Sequence, residues 1–536
     1  MKILSAAEMR EVDRLTAERY DVPSLTLMEN AAKRTVEAAE KRFGNLTDKR
    51  ALVICGRGNN GGDGAAIARL LHNNGAAVDV LLLGRVENSS GDAKTNFERA
   101  RKIAESSPRD FRFVEIESIN QFQQNATLSP HTIFFDAMLG TGLTRPASGL
   151  FEEAIRLLND RTGDTLVIAV DIPSGISSDS SELIGPAVKA DLTVTFTAPK
   201  IGNVLPPASD YCGALVIASI GSPAELIDAS GSRLNLVERS DVERWLQESR
   251  RSTHANKGDV GKVLVIAGSR GKTGAACLVG EAALRAGCGL VTIATAESSQ
   301  PVIASLGIPE CMTESLAETA GGFIAREAAA RAIELAAERN VVAIGPGLGS
   351  SDKSTRAFVR EITIKRQRPM IIDADGLNSL APWKEDLRGS AGLPMILTPH
   401  PGEMSRLVSK PIAEIVKNRV DVARSFATDH NVILVLKGSP TVVAAPDGQV
   451  YVNPTGNAGM ATGGTGDVLT GIIASFVAQK SDDPLSATIA AVYLHGLAGD
   501  IAARKIGTRA MIASDISNHI GEAFTTVGGE AERLVR

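Results

Sequence analysis

Short β-branched apolar runs alternate with helical patterns along almost the whole chain, and this alternation restricts the fold more than any other feature. The runs Ala51–Cys55, Val78–Leu83, Thr132–Asp136, Leu166–Asp171, Leu192–Phe196 and Leu215–Ala218 are continuously apolar rather than alternating in polarity. Strands of that kind are buried on both faces, as in a parallel sheet covered by helices. The series breaks at Ser222–Arg251, a polar stretch containing ASGSR and SDVERWLQESRRS. It resumes with Val263–Ala267, Leu290–Ala294, Val341–Ile344, Met370–Asp373, Met395–Leu397 and Val432–Leu436. The break predicts two α/β domains, 1–222 and 251–536, separated by a linker over 223–250; both fall in the usual size range for domains.

Composition excludes several function classes. A net charge of -5 argues against a nucleic-acid partner, and aromatic residues at 4% leave little for base stacking. The five cysteines have no metal-ligand spacing, and an odd count suits a reducing compartment. The opening MKILSAAEMREVDRL reads as an amphipathic helix without the apolar centre of a signal peptide. No apolar run approaches a membrane span, so no membrane partner, a cytoplasmic location and a homo-oligomeric assembly are the expectations.

The most chemical stretch lies near the C-terminus, NPTGNAGMATGGTGDVLTG from Asn453. Gly463-Gly464-Thr465-Gly466-Asp467 runs directly into an apolar helical pattern. Glycines let backbone N–H groups approach an anion, and the helix N-terminus adds its positive dipole end. A carboxylate at that point, Asp467, suggests phosphoryl chemistry on a hydroxyl whose proton the Asp accepts. The plainer reading is a helix-capping Asp after a Gly-rich turn.

In the first half, ALVIC ends in Gly56-Arg57-Gly58-Asn59-Asn60-Gly61-Gly62-Asp63-Gly64 before a helical pattern. The turn lacks the GxGxxG register of a dinucleotide dehydrogenase. Two more strands end in acids followed by turns, Asp136-Ala137-Met138-Leu139-Gly140-Thr141-Gly142-Leu143 and Asp171-Ile172-Pro173-Ser174-Gly175. Each acid alone reads as a cap. Three such turns at strand carboxyl ends predict one crevice, with hard oxygen ligands for a cation.

GNNGGDG, FDAMLGTGL and VDIPSG, within about residues 1–220, resemble the NAD(P)H-hydrate epimerase domain. The resemblance implies a Rossmann-like three-layer αβα sandwich in which Asn59, Asn60, Gly61, Gly62 and Asp63 hold the hydrated nucleotide. Gly140, Thr141, Gly142, Leu143, Thr144, Arg145 and Pro146 would hold it too. Asn60, Asp136 and Ser174 would bind potassium, and Asp171 would act at the reacting ring. Relatives often carry a Lys where this chain has Thr144 and Arg145, which leaves the general acid unassigned.

In the second half, GSRGKTGAA contains Gly-Lys-Thr but not the GxxxxGKT spacing of a phosphate loop. KGDVGKVLVIAGS, GPGLG, DADGLN, TPHPGE, KGSPT and GGTGDVLTG follow in order over about residues 250–510. Together they resemble the ADP-dependent NAD(P)H-hydrate dehydratase, a ribokinase-like α/β domain. By that resemblance Ala276, Gly347, His400 and Asp467 contact the hydrated nucleotide. Lys437, Gly438, Ser439, Pro440, Thr441 and Gly466 contact the adenine nucleotide. The implied substrates are NADHX and NADPHX, with ADP as co-substrate and magnesium on its phosphates. The implied activity is epimerisation of the R and S hydrates and dehydration of the S form, with ADP converted to AMP and phosphate. The alternative is a ribokinase-type small-molecule kinase, acting for example on a hydroxymethylpyrimidine, with a non-catalytic N-terminal binding domain.

Overall fold

The computed structural model describes residues 1–126, 131–161, 165–306 and 308–528, in two compact units, Met1–Ser232 and Arg233–Arg536. The last eight residues of the expected second domain lie outside the described residues.

The first unit contains β1 (Arg50–Cys55), β2 (Ala77–Leu83), β3 (Phe111–Ile116), β4 (Ile133–Ala137), β5 (Leu166–Val170), β6 (Leu192–Phe196) and β7 (Ala214–Ala218). They form a wholly parallel sheet in the order β3-β2-β1-β4-β5-β6-β7. Successive residues of β1 feed opposite cores. Val53 and Cys55 pack with the helices Ser24–Phe43, Asn59–Asn73 and Gly91–Ser106, whereas Leu52 and Ile54 pack toward the helix Leu150–Asn159. Burial on both sides is why β1 is apolar from Ala51 to Cys55, and it makes the three-layer sandwich. The strand order reverses between β1 and β4, so the helices that follow these two strands pack on opposite faces of the sheet and leave a crevice at the strands' carboxyl ends.

The second unit contains β8 (Leu234–Leu236), β9 (Lys262–Ile266), β10 (Leu290–Ala296), β11 (Met312–Leu316), β12 (Val341–Ile344), β13 (Met370–Ile372), β14 (Met395–Leu397), β15 (Ile433–Leu436), β16 (Val442–Ala444) and β17 (Val450–Val452). Their order is β11-β10-β9-β12-β13-β14-β15-β16-β17-β8, with β16 antiparallel to both neighbours and the other pairs parallel. Here the reversal falls between β9 and β12.

Residues 223–250, expected as a linker, are folded. The helix Ala224–Asp228 belongs to the first unit, while β8 pairs with β17 in the second. In the following helix, Arg239–Glu248, Trp245 stacks on Phe476 with centroids 4.0 Å apart. Two large rings buried together bring the second domain's start forward of residue 251. The expectation of no membrane-length run needs a similar correction. The helix Pro484–Ile506 is long and apolar enough to cross a bilayer, but 78% of its apolar stretch is buried within the protein and it serves as a core helix.

Candidate active sites

In the first domain, the turns after β1, β4 and β5 line one cavity of about 720 Å³. The β1 and β4 turns are in backbone contact. The Gly56 N–H donates to the Ala137 carbonyl at 3.0 Å, and a Cβ on Gly56 would lie 1.9 Å from the Met138 carbonyl oxygen. A Cβ on Gly61 would lie 1.8 Å from the Gly56 oxygen, so only glycine lets the helix Asn59–Asn73 start this close to the strand end. Asn59, Asn60 and Asp63 line the cavity together with Gly140, Thr141, Gly142, Leu143 and Asp171. Gly61 and Gly62 are buried in the first helical turn beneath it. Thr144, Arg145 and Pro146 continue the β4 loop as exposed residues outside the lining.

Asp136 and Ser174 are buried next to this cavity. The Ser174 hydroxyl donates to Asp136 Oδ1 at 2.6 Å, and the Ser174 N–H donates to Oδ2 at 2.7 Å. Burial pushes the Asp136 carboxyl up to about 6 against these hydrogen bonds. The Asn60 amide donates to the Leu139 carbonyl at 3.0 Å, whose own N–H donates to Ser174 Oγ at 2.9 Å. That leaves Asn60 Oδ1 buried with no hydrogen-bond partner. One carboxylate, one hydroxyl and one orphaned amide oxygen form a low-charge oxygen set, which fits a monovalent cation.

Asp171 holds left-handed backbone, φ 66°, which an Asp tolerates better than most side chains. Its Oδ1 accepts from the Lys200 ammonium, from Thr195 Oγ1 at 3.1 Å and from the Phe196 N–H at 3.2 Å. Lys200 is 1% exposed and donates in addition to Thr195 Oγ1 at 2.9 Å. Both ends of this ion pair reach the cavity, as does Asp13 from the helix Ala6–Tyr20.

In the second domain the turns after β9 and β12 meet in the same manner. The Gly268 N–H donates to the Pro346 carbonyl at 2.8 Å, and Gly347 has φ 68°. Asp375 fixes the second turn, accepting from the Gly349 N–H and the Ser350 hydroxyl at 2.8 Å each and from Lys272 at 3.0 Å. Ala276 is buried in the helix Thr273–Arg285 that follows the first turn. His400 caps the helix Pro401–Val408. Its Nδ1 accepts from the Gly402 N–H at 3.0 Å, so in the neutral ring the proton sits on Nε2. Burial, then Lys437 and Arg406, hold its pKa below the usual imidazole value and keep it neutral.

Acids converge where the β13, β14 and β15 turns approach the N-terminus of the helix Thr465–Gln479. Lys437 donates to Asp373 Oδ1 at 2.8 Å and lies 3.8 Å from Glu403 Oε2, while Thr470 donates to Asp373 Oδ2 at 2.8 Å. Asp467 sits in the first turn of that helix beside them. Burial, then the Asp373 charge, push its carboxyl up to about 7, with Lys437 opposing. A Cβ on Gly466 would lie 3.2 Å from Lys437 Nζ, so glycine there keeps the ammonium against the loop.

A family model described as NAD(P)H-hydrate dehydratase matches residues 263–522, and one described as YjeF-related protein N-terminus matches residues 24–202. The bifunctional NAD(P)H-hydrate repair enzyme of Moorella thermoacetica is 43% identical over 538 residues, spanning 100% of this chain and 99% of its own. This chain belongs to the bifunctional NAD(P)H-hydrate repair enzymes. The Escherichia coli K12 member is 34% identical over 511 residues, 94% of this chain and 91% of its own. A crystal structure of the Bacillus subtilis ADP/ATP-dependent NAD(P)H-hydrate dehydratase, co-crystallised with ATP and Mg2+, is 32% identical and covers 55% of this chain and 98% of that one, with a TM-score of 0.47. The repair enzyme thus joins an epimerase domain to a dehydratase domain.

Two groups of residues in this repair enzyme escaped the sequence reading. In the epimerase domain, Lys200 stands beside Asp171, whereas the resemblance pointed to a Lys in the β4 turn, where this chain has Thr144 and Arg145. Lys200 lies four residues beyond the end of β6, past Thr197, Ala198 and Pro199, outside the strand-end positions that singled out Asp136 and Asp171. In the dehydratase domain, the Lys437 ammonium pairs with Asp373 and lies 3.8 Å from Glu403. Those two acids were visible in DADGLN and TPHPGE without an assigned role. The Lys437–Thr441 loop is held from behind by Arg419, whose Nη1 donates to the Pro440 carbonyl at 2.6 Å.

The loop before Asp467 is fastened along the helix Pro484–Ile506. Thr455 Oγ1 donates to the Tyr493 carbonyl at 2.8 Å, and the Gly456 N–H and Asn457 amide donate to the two Asp500 oxygens at 3.0 and 2.9 Å. The buried His495, its pKa lowered by burial to about 4, places Nε2 3.0 Å from the Thr465 carbonyl, which fixes Nε2 as a donor.

Proposed function

We propose that the 720 Å³ cavity of the first domain epimerises the R and S hydrates of NADH and NADPH, and that the Asp467 site dehydrates the S form at the expense of ADP. The observation that carries the dehydratase assignment is Asp467 itself. It is a carboxylate whose proton affinity is raised to near neutrality, placed in the first turn of a helix behind a glycine-rich loop. A base of that strength both takes a hydroxyl proton and is ionised often enough to do so.

Asp467 removes the proton from the ring hydroxyl, and that oxygen attacks the terminal phosphorus of ADP, breaking the bridging P–O bond and releasing AMP. The C–O bond of the phosphorylated hydrate then breaks, the adjacent ring carbon loses a proton, and phosphate leaves the restored dihydropyridine. Backbone N–H groups at Gly464 to Gly466 face the charge on the transferred group. Magnesium carried in on the ADP phosphates would neutralise their charge; among the described residues no cluster of three or more His, Cys, Asp or Glu side chains is placed to hold a metal ion by itself. Potassium in the first domain would take Asn60 Oδ1, Asp136 and Ser174, consistent with the orphaned amide oxygen.

The deciding experiment incubates purified R and S hydrates with the protein, with and without ADP, and follows both epimers and NADPH chromatographically. Exchange without ADP and S consumption with AMP formation are expected. A phosphorylated alcohol accumulating without NADPH would instead show a kinase.

Two further results are expected. The dehydratase kcat/KM rises with pH up to about 7 and then levels off, because Asp467 accepts a proton only when ionised. A pH profile of initial rates measures this. Arg419→Met raises the KM for ADP about tenfold, with kcat little changed; tenfold corresponds to about 1.4 kcal/mol. Arg419 grips the Lys437–Thr441 loop and, among the described residues, pairs with no carboxylate. Losing that grip loosens the loop expected to contact ADP.

A further inference from the structure

Resting on the reading of the first-domain cavity as the epimerase site, we propose that Asp13 is its second catalytic carboxyl. Asp13 protonates the departing hydroxyl while Asp171 takes the proton of the incoming water. Asp13 lies ahead of the 24–202 stretch covered by the family model, on a helix that contributes none of the motif turns. It nevertheless lines the cavity together with Asp63, Asp171 and Lys200, and its Oδ1 is buried without a hydrogen-bond partner.

The charge balance of the cavity gives that oxygen its role. Lys200 is the one buried ammonium among the lining residues, and it is committed to Asp171, Thr195 and the Phe196 carbonyl. Arg10 and Arg57 line the cavity as exposed residues, and Asp92 adds a half-buried acid. Three carboxyls cannot all ionise around one engaged ammonium. Burial holds Asp63 well above the usual carboxylate range, so it keeps its proton. Burial, opposed by Lys200, brings Asp13 to about 6, so it can give a proton up and regain it. Asp171 is the carboxylate held in the ion pair with Lys200.

Inversion at a carbon bearing both hydroxyl and ring nitrogen needs such a pair. The Asp13 proton passes to the hydroxyl oxygen, the C–O bond breaks with its electrons leaving as water, and the nitrogen lone pair forms a C=N bond. Water adding to the other face makes the new C–O bond, its proton goes to Asp171, and the nitrogen recovers its lone pair. Solvent returns both acids to their starting states, and the reverse direction exchanges their roles.

The test uses the full chain, without ADP, and follows conversion of the R hydrate of NADPH above its uncatalysed rate. Asp13→Asn is expected to lower kcat by about 100-fold or more with KM within about threefold, the signature of a lost proton-transfer group. Asp13→Ala should regain exchange when formate is added, which a merely structural residue would not allow. Asp13→Asn exchanging within threefold of the parent, while Asp171→Asn is inactive, overturns the proposal. So does a loss in Asp13→Ala that formate leaves unchanged, and this variant decides the matter if Asp13→Asn does not fold. If Asp171→Asn and Asp13→Asn both exchange normally, the cavity is not the epimerase site, and the underlying reading fails with the proposal.

Discussion

Asp467→Asn is expected to slow dehydration of the S hydrate by about a thousandfold or more, within the usual range for a lost general base. The amide has the size of the carboxyl, so the loop and the Lys437–Asp373 pair at 2.8 Å should keep their geometry. It cannot accept the hydroxyl proton. Binding of ADP should hold within about threefold, since the substitution leaves the backbone donors and the Lys437–Thr441 loop in place. R-to-S exchange, carried out in the other domain, should not change at all. Recovery of NADPH absorbance in the near ultraviolet reads the first effect, and chromatography of the epimers reads the last. Dehydration within tenfold of the parent enzyme would remove Asp467 from its role.

Lys200→Met should be the most damaging single change in the first domain. The ammonium is 1% exposed and carries the ion pair to Asp171, so its loss leaves a half-buried carboxylate without its cation. Breaking a buried pair from one side costs about 3–5 kcal/mol, against about 5–15 kcal/mol for the stability of a whole domain. Urea unfolding should show the epimerase transition displaced to lower denaturant while the dehydratase transition stays put. Epimerase activity should vanish. Adding Asp171→Asn should restore much of the stability, because no unpaired charge remains, but none of the exchange. A double variant no more stable than Lys200→Met would show that packing of the lysine stem, not its charge, was responsible.

The central strands were legible because burial on both faces leaves an uninterrupted apolar run, as in Leu52 to Cys55. The edge strands were not. FRFVEI in β3 and MTESL in β11 are largely half-buried or exposed, so their polarity alternates and resembles loop. Three-residue β8 was hidden in a polar segment and is recognisable only through its pairing with β17. The same limit applies to the sites. Turns at strand ends declared Asp136 and Asp171, and a glycine-rich loop entering a helix declared Asp467, because glycines and acids cluster there within a few residues. Lys200 meets Asp171 across 29 residues of chain and Lys437 meets Asp373 across 64, and only the sheet order makes these residues neighbours. Asp13 gave still less sign of itself, being one acid among several on an amphipathic helix.

The attachment of the 455–465 loop to Tyr493, His495 and Asp500 bears on how the dehydratase works. A glycine-rich loop free in solution would have to lose its disorder each time a nucleotide arrived. Here that ordering is completed once, when the chain folds, because the helix holding the loop is itself part of the hydrophobic centre. The binding energy of ADP is then available to align phosphorus with the attacking oxygen rather than to shape its own receptacle.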